Sequence, residues 1–218
     1  MRRPNSQVPA PTSSAAEFLP PSRSLATLAE AAQHCRGCEL YRNATQAVFG
    51  EGASRAKLFL VGEQPGDQED LAGHPFVGPA GRVLDEVLEE VGISRDEVYV
   101  TNAVKHFKWT PRGKRRMHSK PSAREVTACR PWLEAELAIV HPEIVVCLGA
   151  TAAQSLLGSA FRITRDRGRV LSSAWAEHIL ATYHPSALLR APDRDSRRQL
   201  RTEFTQDLRE AARWLRTA

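Results

Sequence analysis

Three groups of residues in this sequence have side chains able to bind an ion or a reacting molecule. The first is sulfur. Cys35-Arg36-Gly37-Cys38 carries two thiols a turn apart, Cys129 lies near the start of a stretch with helical patterning, and Cys147 lies inside the apolar run Ile144 to Leu148. Two thiolates at this spacing can reach one ion, and helix amides near Cys129 favour its thiolate form. Cys147, among branched apolar residues, is expected to pack as a small hydrophobe. The three thiolates then call for one further soft or borderline ligand, and His106 is the candidate, because imidazole can replace a thiolate. A Cys3His set suits zinc and an iron–sulfur cluster equally, so the residue types leave both open.

The second group is charge. The chain of 218 residues has a formal net charge of +5. Between Lys105 and Arg130 stand nine Lys or Arg against one acid, Glu125, so the rest of the chain is net negative. A basic segment of that density suggests a polyanion partner. The third group is a set of polar turns directly after apolar runs: Glu63-Gln64-Pro65-Gly66, Asn102 with the basic segment behind it, and Tyr183-His184-Pro185-Ser186.

The elements that must hold these groups follow from periodicity. Lys57 to Val61, Val98 to Thr101, Ile144 to Leu148 and His178 to Thr182 are short apolar runs and predict strands. Val83, Leu84, Val87, Leu88 and Val91 make one helical stripe ended by Gly92. Ser122-Ala123-Arg124-Glu125 matches a capping box and opens a helix that runs toward His141-Pro142. Further helices are expected over 25–32, 151–157 and 195–215. Strands alternating with helices predict an α/β fold, a three-layer α/β/α sandwich around a central parallel four-stranded sheet. Such sheets bind ligands at the carboxyl ends of their strands, which is where the three polar turns fall.

Composition narrows the function classes. With 42% hydrophobic and 25% charged residues, the chain is neither wholly disordered nor fibrous, and no apolar stretch approaches the roughly 20 residues that span a bilayer. Residues 1–24, rich in Pro and Ser, are expected to form a disordered tail ahead of one domain over 25–218. Met1-Arg2-Arg3 is followed by no apolar segment of a secretory signal, so a cytoplasmic protein without membrane contact is expected.

Six motifs then coincide in order: Gly62-Glu63-Gln64-Pro65-Gly66, Pro75 to Gly81, Thr101-Asn102-Ala103-Val104-Lys105, Ala128-Cys129-Arg130-Pro131, Leu148-Gly149-Ala150-Thr151-Ala152 and His184-Pro185-Ser186. Together, from about Leu25 to the C-terminus, they resemble the iron–sulfur uracil-DNA glycosylases. Three departures from the common pattern resemble the UdgX-like branch, known for covalent attachment to uracil-containing DNA. Gln64 stands where Ala is usual, His106 stands where the remaining cluster cysteine is usual, and a loop with Lys114-Arg115-Arg116-Met117-His118 precedes the capped helix. That loop has Met117 where the branch has Ile.

The resemblance implies a 4Fe-4S cluster on Cys35, Cys38, Cys129 and His106. It also implies a role for each polar turn. Gly62 and Phe76 would border and stack on an extruded uracil, and Asn102 would pair with its O4 and N3–H. His184 would hydrogen-bond O2 as charge develops on the leaving base. Glu63 would orient a water or a histidine, and Gln64 would hold a water. His118 would attack C1′ of deoxyribose and form the adduct. Lys114, Arg115 and Arg116 would hold phosphates flanking the flipped nucleotide. The expected partner is uracil-containing DNA, preferentially single-stranded because no pairing has to be given up, with no obligate protein partner. Two other functions compete with self-trapping: a multiple-turnover glycosylase whose His118 only contacts DNA, and a non-catalytic DNA-binding module with a structural cluster.

Overall fold

A computed structural model describes residues 13–21 and 24–217. Seven strands and eight α-helices are described: β1 Glu51–Gly52, β2 Leu58–Gly62, β3 Val98–Asn102, β4 Trp109–Arg112, β5 Arg115–His118, β6 Ile144–Leu148 and β7 His178–Thr182; α1 Leu25–Ala32, α2 Asp67–Ala72, α3 Pro79–Glu90, α4 Ala123–Val140, α5 Ala150–Leu157, α6 Ile163–Asp166, α7 Pro185–Leu189 and α8 Arg194–Thr217. No described helix is long and apolar enough to cross a membrane.

The central sheet has the order β1-β3-β2-β6-β7. Its four longer strands are parallel, and β1 is added antiparallel to β3. The expected four-stranded sheet is therefore corrected to five: β1 is only two exposed residues, too short to leave a hydrophobic period in the sequence. The parallel strands are buried on both faces, which explains why they read as continuous apolar runs. Alternate residues feed two cores. Leu58, Leu60, Val100, Val146 and Leu180 pack under α3 and α8, whereas Phe59, Val61, Val145, Cys147 and Ile179 pack under α4 and α5. Cys147 is fully buried and burial pushes its thiol up to about 12, as its packing role requires.

Register places the functional turns. Gly62 lies opposite Asn102 in the β2/β3 pair, and Leu148 lies opposite Thr182 in the β6/β7 pair, so all four strands end along one edge. Behind β3 the chain forms a second sheet, the antiparallel β4/β5 hairpin. Sequence periodicity gave no strands there, because the hairpin is mostly exposed and carries Pro111 and four Lys or Arg in place of alternating apolar residues.

Much of the expected disordered tail, residues 1–12 and 22–23, lies outside the described residues. Its described part is ordered onto the domain: Ala15–Phe18 forms a 3-10 turn, Ala15 is buried, and the Ser13 hydroxyl donates to the Gly37 carbonyl at 3.0 Å. Small size at both positions permits that contact. A Cβ on Gly37 would stand 2.5 Å from the Ala15 nitrogen.

The basic segment is also redistributed by the fold. Lys105 is fully buried, and its ammonium donates to Glu136 Oε2 at 2.5 Å, Thr101 Oγ1 at 2.6 Å and the Asn102 carbonyl at 2.9 Å. Glu136 Oε1 accepts from the Gly50 amide, the Tyr99 phenol and Thr101 Oγ1 at 2.9–3.0 Å. Lys108 pairs with Glu125, and Arg130 with Glu134. A buried pair satisfied on all sides is costly to break from one side, so Lys105→Met should lower the urea-unfolding free energy by about 3–5 kcal/mol. Because solvent ions do not reach the pair, high salt should leave that loss unchanged; a loss that vanishes in salt would mean the pair is exposed.

Candidate active site

Glu63, Gln64, Phe76, Asn102, His118 and His184 all line one cleft of about 560 Å³ at the carboxyl edge of the sheet. Asn102 ends β3 and is 3% exposed, with its side chain over Gly62. Any Cβ at Gly62 would stand 2.3 Å from Asn102 Oδ1 and 2.7 Å from the Phe76 ring, so this glycine makes the room in which both side chains sit. Phe76 adopts the left-handed conformation at φ +58°, uncommon for a bulky residue. Gly81 makes that bend possible, because a Cβ there would meet the Phe76 carbonyl oxygen at 1.6 Å. The Phe76 ring lies nearly parallel to His184, 28° between planes and 6.0 Å between centroids. Part of Phe76 is core and part faces the cleft.

His184 follows β7 and precedes α7. Its Nδ1 accepts from the Ser186 amide at 3.2 Å and contacts the Ser186 hydroxyl at 2.7 Å. With Nδ1 as acceptor, the proton of the neutral ring belongs on Nε2. Burial pushes the imidazole down to about 4, with Arg190 and His118 adding to the shift and Glu63 opposing it. The ring is therefore a neutral donor at physiological pH.

Glu63 joins three elements. One carboxylate oxygen accepts from the Thr151 hydroxyl in the first turn of α5, and the other lies 3.4 Å from His118 Nε2 on β5. Burial raises its carboxyl pKa, but the donors His118 and Thr151 outweigh burial and hold the group below the usual range. His118 is half exposed at the end of the hairpin.

Two expected roles change with this geometry. Gln64 has no N–H left to offer a water: its amide nitrogen donates to the Lys108 and Ser119 carbonyls at 3.1 and 3.2 Å, and its oxygen accepts from the Lys108 amide at 3.2 Å. Those two residues flank the β4/β5 hairpin, so Gln64 pins both ends of the element that carries His118. Arg116 is not free for phosphate either. It pairs with Asp70 and Asp67, each at 2.6 Å, and lies over Phe107 and Trp109. Asp70 is fully buried and also accepts from the Thr45 amide and hydroxyl. Arg112, Lys114, Arg115 and Lys120 remain as exposed cations on and beside the hairpin.

On the far side of β3, Cys35, Cys38 and Cys129 share a hydrophobic cluster with Val104 and Trp132. All are free thiols. The indole N–H of Trp132 donates to Cys35 Sγ at 3.3 Å, and the Lys105 amide donates to Cys129 Sγ at 3.2 Å. N–H donors to sulfur are the outer contacts that tune a thiolate-bound centre. His106 is buried and borders a hollow of about 190 Å³ with Cys35. Burial pushes its imidazole down to about 4, so it is neutral, as a ligand must be. Among the described residues, no three of His, Cys, Asp and Glu converge closely enough to grip a single ion. Four ligands on one zinc stand about 3.8 Å apart for 2.3 Å bonds, whereas a cubane cluster spreads its ligands more widely. Three thiols and a neutral imidazole, with N–H donors to two of the sulfurs, are a donor set that suits an iron–sulfur cluster.

Thr151, Asp67 and Asp70 were not assigned roles from sequence. Thr151 stood inside a quoted motif, and the three-residue spacing of the two aspartates after Pro65-Gly66 was the available signal for a shared cation on α2.

Comparison with known proteins agrees with this architecture. The chain is 38% identical over 172 residues to the type-4 uracil-DNA glycosylase of Thermotoga maritima, covering 78% of this chain and 86% of the relative. It is 38% identical over 182 residues to the type-4 enzyme of Archaeoglobus fulgidus, covering 80% and 85%. A type-5 uracil-DNA glycosylase of Thermus thermophilus is 31% identical over 160 residues, covering 64% and 68%. Residues 49–209 match the family described as the uracil DNA glycosylase superfamily, to which this chain belongs.

Proposed function

We propose that this protein is a uracil-DNA glycosylase that excises uracil once and keeps the abasic sugar bound to His118. The observation that carries this reading is the convergence of a stacking ring, a buried amide, a neutral imidazole donor and a carboxylate–histidine pair on one cleft. A binding module has no use for such a set. Phe76 stacks on the extruded base and Asn102 pairs with its O4 and N3–H, a pattern that cytosine reverses.

As the C1′–N1 bond breaks, its electron pair leaves with the base, and the negative charge spreads to O2. His184 Nε2–H donates there. The sugar is left as an oxocarbenium cation, and the lone pair of the His118 nitrogen not facing Glu63 closes on C1′. The resulting imidazolium shares its remaining proton with Glu63, and the uracil anion takes a proton from water. Arg112, Lys114 and Arg115 hold neighbouring phosphates. Single-stranded DNA is the favoured substrate, because extrusion then gives up no base pair.

Cys35, Cys38, Cys129 and His106 would hold a 4Fe-4S cluster. When bound, the cluster supplies structural cross-linking between the segment before β1, the end of β3 and α4.

Denaturing electrophoresis after incubation with a uracil-containing oligonucleotide tests the reading. Wild type should give a heat-resistant shifted band. His118→Ser should lose that band yet still release uracil, with turnover appearing; full adduct yield in this variant would assign the nucleophile elsewhere. A wild type that turns over with no band at all would favour the hydrolytic enzyme.

Asn102→Asp should slow uracil release at least about 100-fold, since a carboxylate oxygen then faces uracil O4 where a donor is required. An unchanged single-turnover rate would remove Asn102 from base reading.

The purified protein should be brown. Cys129→Ser should bleach it and Cys147→Ala should not, with iron content following the colour; the reverse pattern would overturn the ligand set.

A further inference from the structure

Thr151 is 6% exposed in the first turn of α5, directly behind Gly149 at φ +93°. Gly149 is itself tied to β7 through its amide, which donates to the Thr182 carbonyl at 2.8 Å. The hydroxyl is thus carried by the rigid end of the sheet, on a β-branched side chain with few rotamers. It donates to Glu63 Oε2, while Glu63 Oε1 faces His118 Nε2 at 3.4 Å. Both carboxylate oxygens therefore have a protein partner.

We propose that Thr151 is a positioning residue that decides how the sugar cation is captured: by occupying one oxygen of Glu63 it denies that oxygen to water and leaves the other to His118. This rests on the covalent reading given above. A water attacking C1′ needs a base to take its proton, and Glu63 is the carboxylate beside the nucleophile. With Oε2 held by Thr151 and Oε1 turned to His118, each oxygen of that carboxylate already has a partner and is a weaker base toward water. Removing the hydroxyl opens Oε2, and hydrolysis then competes with histidine attack. Water's proton passes to Glu63 as its oxygen bonds to C1′, so the products are free uracil, an unmodified protein and an abasic site.

Thr151→Val keeps the side-chain shape and removes the donor, and Thr151→Ser restores the donor. In single-turnover reactions of the full chain with a single-stranded uracil oligonucleotide, the ratio of adduct to total uracil released should fall about fivefold in Thr151→Val, the worth of one hydrogen bond. Thr151→Ser should recover it. A ratio unchanged in Thr151→Val overturns the proposal, including the case in which misfolding lowers adduct and release together. So does a serine variant that behaves like valine.

A second readout separates this proposal from the covalent reading. The titratable groups facing Glu63 are His118 from β5 and His184 from the turn after β7. Loss of a donor to the carboxylate makes it easier to protonate, so the acid limb of adduct formation, which needs the Glu63 carboxylate beside His118, should move to higher pH in Thr151→Val and return in Thr151→Ser. If wild type forms no adduct, the covalent reading fails and the capture role of Thr151 falls with it, whereas an adduct in wild type whose share is unchanged in Thr151→Val overturns the role of Thr151 alone. A limb that stays in place in Thr151→Val overturns the role of Thr151.

Discussion

Lys105 is the point at which the separate parts of this molecule are joined. Its ammonium holds Glu136 of α4, the Thr101 hydroxyl and the Asn102 carbonyl. Its own amide donates to Cys129 Sγ, and its carbonyl accepts from the Val48 amide at 2.8 Å. One side chain and one peptide unit thereby connect the end of β3, the sulfur-lined region and the segment leading into β1. A charge buried to this degree is tolerated only because every donor it carries is used, and Glu136 is satisfied by three further donors. The backbone of Asn102 is thus fixed from behind by the same residue whose amide bonds the Cys129 sulfur.

The second constraint lies on the solvent side of the cleft. The β4/β5 hairpin is mostly exposed and has few apolar residues with which to pack. Polar anchors substitute for a core: Gln64 holds its two ends, Arg116 locks onto Asp67 and Asp70, and the Trp109 indole donates to the Asn43 carbonyl at 2.8 Å. Buried or partly buried charge-assisted bonds of this kind fix orientation better than long exposed pairs do. His118, at the open end of this hairpin opposite Trp109, thereby gains a defined position. The cations Arg112, Lys114 and Arg115 are exposed on the same hairpin, so they and His118 belong to one structural unit.

Electrostatics divide the cleft between its two histidines. His184 is enclosed, its Nδ1 is committed to Ser186, and burial keeps it neutral with a proton to donate. His118 is half exposed and is paired with Glu63. The same residue type therefore sits in two different environments, and in the function proposed above the enclosed one donates to the base while the paired one attacks the sugar, because the surroundings and not the imidazole set the role.

The sequence by itself determined the four parallel strands, the long helices between them and the order of the polar turns at the strand ends. Strands β6 and β7 were legible to the residue because buried parallel strands are continuously apolar, and α3 and α4 because their stripes and caps are local signals. Glu63, Gln64, Asn102 and His184 were legible as polar turns after apolar runs, whereas Phe76 and His118 were singled out only through resemblance. Tertiary structure alone decided which charges are available. Arg116 meets Asp70 across 46 positions and Lys105 meets Glu136 across 31, so no local pattern announces that these cations are already neutralised. The fold also turned Gln64 from a water-binding candidate into a clamp, and made Thr151 a partner of Glu63 from 88 positions away. Periodicity reports what a segment buries; pairing between polar groups depends on where distant segments meet, and only the packed sheet edge sets that.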